Sequence, residues 1–165
     1  MNARSERRYL AYRDSRLGFL FRRCHQLASG AFSAAARTLD VTPAQFGVLA
    51  CLHHFPDGLD QVSIARLIVL DKATTGIVIR SLLRRGLVSK RRGSDLRTFQ
   101  ARLTAQGRAA FRRLDRITAT IARELLAPLP RRDRVLLVDL LVALIDAHAA
   151  HAAVPVSRAP RSRRR

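Results

Sequence analysis

The stretch that most constrains this chain runs from Gln61 to Arg102, QVSIARLIVLDKATTGIVIRSLLRRGLVSKRRGSDLRTFQAR. It predicts a short helix, a tight turn, a second helix and a basic two-stranded ribbon. Counting from Asp71, Thr75, Val78, Ile79 and Leu82 fall on one side of a 3.6-residue wheel. Ala73, Gly76, Ile77, Arg80 and Arg84 fall on the other. The first set can close a small core, which turns the second outward. Small side chains near the amino end, with arginines further along, suit a helix laid in the major groove of DNA. Short residues there let the backbone approach base edges, and guanidinium groups reach phosphates. A basic helix in isolation is more often a solvated face, and a mid-helix glycine such as Gly76 costs about 1 kcal/mol relative to alanine. The neighbours decide the matter, because a short helix before and a basic ribbon after make the winged helix-turn-helix pattern.

LDKATTGIVIRSLLRRGLV is followed by GSDLRT, with its Asp95 and Arg97, and then by LT-x-x-G at Leu103, Thr104 and Gly107. In that order and spacing the chain resembles the MarR family of bacterial transcriptional regulators, over roughly residues 15 to 148. The resemblance implies a DNA-binding homodimer and no enzymatic activity.

Composition agrees with a nucleic-acid partner. The 165 residues suffice for one compact domain, or for a small domain with a dimerisation platform. The net charge of +19 is almost all arginine, since only Lys72 and Lys90 are lysines. Such a charge favours polyanions, nucleic acid before membrane surface. No run approaches the roughly 18 apolar residues of a membrane span, and the amino terminus lacks an apolar signal core, so a cytoplasmic location is expected. The two cysteines fit a reducing compartment without a structural disulfide.

In order, the chain predicts a basic flexible arm over 1–14 and a dimerisation helix over 15–40. A winged helix-turn-helix lobe over 41–103, dimerisation helices over 104–152 and a disordered basic tail over 153–165 follow. The first helix carries an apolar stripe through Leu17, Leu20, Cys24, Leu27, Ala31 and Ala35, and ends near Leu39. Thr42, Pro43 and Gln45 form a capping box, with Val41 and Phe46 at the spacing of a hydrophobic staple. Asp60 caps the next helix, and Gly86 ends the recognition helix in a left-handed conformation. Strands over 87–91 and 98–103 pair around the tip. From Thr104 a long helix runs to Ala127, where Pro128-Leu129-Pro130 breaks it. The last helix, 131–150, is apolar over nearly its whole circumference, too wide a stripe for a monomer's surface. A second chain is the economical cover, so the fold expected is mainly α, a winged helix-turn-helix with a two-stranded β-wing and a dimerisation region from the first, fifth and sixth helices.

The DNA-binding set expected is Lys72, Ala73, Thr74, Thr75, Gly76, Ile77, Arg80 and Arg84 on the helix, with Arg91, Arg92, Asp95 and Arg97 on the wing. Asp71 caps the helix by accepting the amide of Ala73 or Thr74. By resemblance Lys72, Thr74 and Thr75 lie at the end presented to bases. Thr75 is assigned partly to the core. Ile77 replaces a polar residue common in the family and can meet a thymine methyl or stand as a surface isoleucine. Arg97 is expected in the minor groove, held by Asp95, while Arg91 and Arg92 meet phosphates.

MarR-like regulators commonly release DNA when a small, often aromatic, anion binds. Here the resemblance implies a ligand group of Phe21, Arg22, Arg23, His25, Gln26, Phe32 and Phe46. RRCHQ and LDQVSIARLIVLDKATTG are similar to the subgroup sensing aromatic acids or their coenzyme A thioesters. The opposing reading makes Phe32 and Phe46 core and the arginines solvated. Cys24, beside Arg22 and Arg23, is a redox candidate by analogy with peroxide-sensing members, although its place in the apolar stripe argues for an inert thiol. Adjacent His53 and His54 diverge on a helix, and His148 and His151 lack a third ligand, so no metal is expected; no cofactor is expected either. No phosphate loop, nucleophile elbow or zinc-protease signature is present. The function expected is a sequence-specific repressor on a pseudo-palindromic operator, released by an aromatic acid or its coenzyme A thioester. A Cys24-based oxidant sensor and a non-specific architectural nucleic-acid-binding protein are the alternatives.

Overall fold

A computed structural model describes residues 2–36, 39–92 and 99–148. Seven helices and one two-stranded sheet occupy them: α1 (Ala3–Asp14), α2 (Leu17–Ala35), α3 (Pro43–His54), α4 (Gln61–Ile68), α5 (Lys72–Arg84), β1 (Val88–Arg92), β2 (Phe99–Leu103), α6 (Ala105–Leu126) and α7 (Arg131–His148). β1 and β2 are antiparallel, with Val88 opposite Leu103 and Arg92 opposite Phe99.

The predicted helix starts are built as expected. Thr42 accepts the amide of Gln45 at 3.2 Å, and the Gln45 side chain accepts the Thr42 amide at 3.0 Å. Asp60 accepts the amides of Val62 and Ser63. Thr104 caps α6 by accepting the Gly107 amide at 3.0 Å and donates its hydroxyl to Gly86 O at 2.7 Å. The LT-x-x-G spacing has a steric reason: a Cβ on Gly107 would sit 1.9 Å from Leu87 O, so only glycine lets α6 start against the wing.

One core joins these elements. Val48, Leu49, Leu52, Ile64, Leu82 and Leu114 are fully enclosed, and each large apolar side chain so buried stabilises the fold by about 1.5–3 kcal/mol. Phe46 lies between Phe32 and Phe111, at centroid distances of 5.8 and 6.0 Å, and His53 stacks on Phe111 at 4.2 Å.

Two features depart from the sequence reading. The stretch expected as a flexible arm is helical, because Asn2 caps it by accepting the Arg4 amide, while Glu6 and Arg13 sit at the ends that suit their charges. The helix expected to reach Leu39 stops at Ala35. Asp40 has a positive φ of 48°, and the Arg85 guanidinium donates to the carbonyls of Leu39 and Asp40, a long-range tie with no local signal. The apolar stripe of α2, expected to meet a second chain, is largely open in the single chain: Leu17, Leu20, Phe21, Cys24 and Leu27 are exposed.

α7 has no buried residue, and Val135, Leu136, Leu140 and Ile145 are all more than half exposed. No described helix is long and apolar enough to cross a membrane.

Candidate nucleic-acid interface

The recognition helix is positioned by its cap, its buried face and its partner helix. Asp71 accepts the Thr74 amide at 2.8 Å. Thr74, first through its hydroxyl and then its amide, holds the Asp71 carboxyl below the usual carboxylate range. Thr75, Val78, Ile79 and Leu82 are all buried. Gln61, the first residue of α4, donates its side-chain amide to Lys72 O at 2.7 Å and crosses the start of α5. Gln45 donates to Ser81 Oγ at 3.1 Å, tying α3 to the middle of α5. The turn between α4 and α5 passes through Val69, an exposed β-branched residue in the left-handed region at φ 56°.

The outward face is narrower than the sequence indicated. Lys72, Ala73, Ile77, Arg80 and Arg84 are exposed and Thr74 is partly so. Ile77 is 59% exposed. Two residues of the expected DNA set turn the other way. Thr75 is 0% exposed, and its hydroxyl donates to Asp71 O at 2.8 Å, so it serves the helix's own first turn. Gly76 is buried under Gln61, where a Cβ would stand 2.8 Å from the Gln61 amide nitrogen. Its small size admits α4, which the helical wheel could not reveal because one residue between two faces can belong to either.

The wing starts where Gly86, at φ 67°, turns the chain out of α5. Leu59 pairs with Ala101 through reciprocal backbone bonds of 3.1 and 2.8 Å, anchoring β2 to the segment before α4. Sequence reading missed this link, since a one-residue bridge has no periodicity. Arg91 is exposed on β1, and Lys90 Nζ lies 5.6 Å from the Phe99 ring centroid. Arg92 belongs to β1; its side chain, and Asp95 and Arg97, lie outside the described residues.

Of the residues expected to hold an effector, Phe32 is buried and Phe46 partly buried in the aromatic stack. The others lie exposed along α2: the Arg22 guanidinium is 5.0 Å from the Phe19 centroid, Arg23 donates to Gln26 at 3.3 Å, and His25 meets Ser29 at 3.4 Å. Cys24 is exposed, like the α2 stripe to which it belongs. Cys51 is half-buried, and burial pushes its thiol up to about 11. No group of three or more metal-ligating side chains is assembled among the described residues.

The MarR family model matches residues 41–99. A search of curated protein sequences found no match. A probable transcriptional regulator from Pseudomonas aeruginosa is 29% identical, with a TM-score of 0.74 over 80% of this chain and 98% of that one. The PcaV transcriptional regulator from Streptomyces coelicolor, solved in complex with its natural ligand, is 33% identical, with a TM-score of 0.70 over 81% of this chain and 94% of that one. The transcriptional repressor CouR, solved bound to a 23-mer DNA duplex, is 29% identical, with a TM-score of 0.75 over 79% of this chain and 93% of that one. One-third identity along nearly all of PcaV, together with the family match across the wing and recognition helix, is decisive: the chain belongs to the MarR family and has the winged helix-turn-helix fold of its transcriptional regulators.

Proposed function

We propose that the protein is a homodimeric repressor that reads a pseudo-palindromic operator and releases it on binding a small aromatic acid or its coenzyme A thioester. The observation that carries this reading is the outward face of α5, where Lys72, Ala73, Ile77, Arg80 and Arg84 are exposed on a helix capped at its amino end and locked from behind. Such a helix has its base-reading residues fixed before DNA arrives, which lowers the ordering cost of binding. CouR, of similar fold, was solved on a DNA duplex, and PcaV with its natural ligand.

A second copy of the chain covers the open apolar faces of α2 and α7. The two α5 helices then enter successive major grooves about one helical turn apart. Arg97 reaches the minor groove with Asp95 shaping the tip, and Arg91 and Arg92 meet phosphates. The effector's carboxylate or thioester seats on the exposed α2 group of Arg22, Arg23, His25 and Gln26 beside Phe21. No comparably specific observation favours oxidant sensing by Cys24 or sequence-blind packaging of DNA.

Gel-shift titration of a selected duplex and of random DNA at two salt concentrations tests the reading. Arg97→Ala weakens the selected duplex more than random DNA, whereas removal of residues 161–165 weakens both alike and flattens the salt dependence. Equal losses on both DNAs from both changes would refute the assignment.

A further inference from the structure

Gln61 reaches the interface from outside the recognition helix. It is the first residue of α4, and the cap holds its backbone: Asp60 accepts the amides of Val62 and Ser63 at 2.8 and 3.0 Å and the Ser63 hydroxyl at 2.7 Å. From that fixed root the side chain crosses to α5 and donates to Lys72 O at 2.7 Å. Lys72 O is the carbonyl that the Gly76 amide addresses in a regular α-helix, so Gln61 adds a second bond to the first turn. The bond also decides which way the amide points. A carbonyl only accepts, so the nitrogen of Gln61 faces α5 and the oxygen, an acceptor, occupies the other branch.

Two side chains share the bare backbone at Gly76. A Cβ there would stand 2.8 Å from Gln61 Nε2, 3.4 Å from Gln61 Cδ and 3.3 Å from Arg80 Nη1. Arg80 lies one turn further along α5, and helical side chains lean toward the amino end, so its guanidinium comes to rest over the glycine. Arg80 is exposed, Gln61 partly buried and Gly76 buried. A guanidinium has five donors and no acceptor. Beside it stands an amide that carries an acceptor and cannot turn without breaking its bond to Lys72 O. Arg80 is thereby kept close to the end of α5 that exposes Lys72 and Ala73. Long polar side chains lose much rotamer freedom when they are fixed, so restricting this one before DNA arrives lowers the cost of binding and narrows the contacts it makes.

We propose that Gln61 is a positioning residue for DNA reading: it holds the Arg80 guanidinium over Gly76 and so sets which base pair that group meets. The proposal rests on the reading of α5 as the helix that enters the major groove. Gly76 then has a use besides admitting α4, since a larger residue would push Gln61 and Arg80 off the first turn. A glutamine that only fastened α4 to α5 would act on stability. One that aims Arg80 acts on the choice among sequences.

Equilibrium binding of the full chain tests it, using a duplex selected from a random library with the parent protein, and random DNA beside it. Gln61→Ala is expected to lower the ratio of the two affinities about ten-fold, the scale of one base contact. Affinity for random DNA and its salt dependence should stay as in the parent, because no charge is removed. Arg80→Ala should lower the ratio to a similar extent, and adding Gln61→Ala to it should lower the ratio no further, as when one residue acts through another. Gly76→Ala should reproduce the loss of preference with circular dichroism unchanged, since alanine favours a helix more than glycine does. Val62→Ala, at the exposed neighbouring position of α4, should leave the ratio as it is. The proposal is overturned if Gln61→Ala keeps the parental ratio, if it weakens selected and random DNA alike, or if its loss multiplies with that of Arg80→Ala. A parent that yields no preferred duplex would sink the repressor reading and this assignment together, whereas parental preference kept in Gln61→Ala sinks the assignment alone.

Discussion

The DNA-binding lobe and the helical platform solve burial in opposite ways. In the lobe every helix start has a side-chain cap, from Thr42 through Asp60 to Asp71, and the apolar residues of α3, α4 and α5 close on one another. In the platform α1 and α7 bury nothing and α2 buries only Phe32. The same chain therefore contains a closed core, to which Phe32 of α2 and Phe111, Leu114 and Ile121 of α6 contribute, and helical faces on α2 and α7 that stay open in one copy. Exposed apolar surface of this kind is what a protein interface needs. In the function proposed above, the lobe reads DNA and the platform sets where a second lobe stands.

Substitutions inside each region sharpen the contrast, and the largest effects belong to the lobe and to the stretch of α6 that packs into its core. Leu114→Ala should cost about 2–5 kcal/mol through lost burial and a cavity. Gly107→Ala should cost about 3 kcal/mol, because its Cβ cannot share space with Leu87 O. Urea unfolding measures both. Leu140→Ala on α7, measured at concentrations low enough to dissociate any assembly, should change stability by less than about 0.5 kcal/mol. A cost like that of Leu114→Ala would erase the distinction.

Leu140→Glu with Ile145→Glu should abolish self-association while helical circular dichroism persists, because neither side chain is enclosed in the single chain. Collapse of the helical signal would mean that these residues hold the monomer together. Smaller effects come from the caps. Thr42→Ala removes half of a capping box and should cost about 1 kcal/mol.

The caps also set a pH window. The Asp60 carboxyl is held below the usual range by the Ser63 amide and then its hydroxyl, and the Asp71 carboxyl by Thr74. Folding lowers both, so their contribution is fully present above the ordinary carboxylate range, near 4, and is lost as pH falls through the folded values. The loss should be smaller in Asp60→Asn than in the parent when unfolding is followed from pH 6 to pH 3. The smallest change expected is a gain: Val69→Gly relieves a β-branched residue of a left-handed conformation and should stabilise the lobe by less than about 1 kcal/mol.

The lobe was the more legible region because its signals are local. Pro43 with Thr42 and Gln45, Asp60, Asp71, Gly86 and the Thr104–Gly107 pair each announce an element within four residues. The apolar residues of α5 also had the right phase. What escaped depends on contacts between distant segments. Gly76 faces inward only because Gln61 arrives from α4, Leu39 leaves the helix because Arg85 holds the loop from 45–46 residues away, and Phe46 belongs to a stack completed by Phe111. α1 escaped for another reason, since its arginines read as a solvated arm although Asn2 is a sound cap. The wing tip and tail expectations, including Asp95, Arg97 and residues 153–165, lie outside the described residues.

Sedimentation velocity of the full chain over a range of concentrations, alone and with a selected duplex, tests the central claim most directly. The account predicts a species of twice the chain mass that persists to low micromolar concentration and binds one duplex as a unit. A particle of single-chain mass at every concentration, binding the duplex one lobe at a time with no preference for two half-sites, would contradict it.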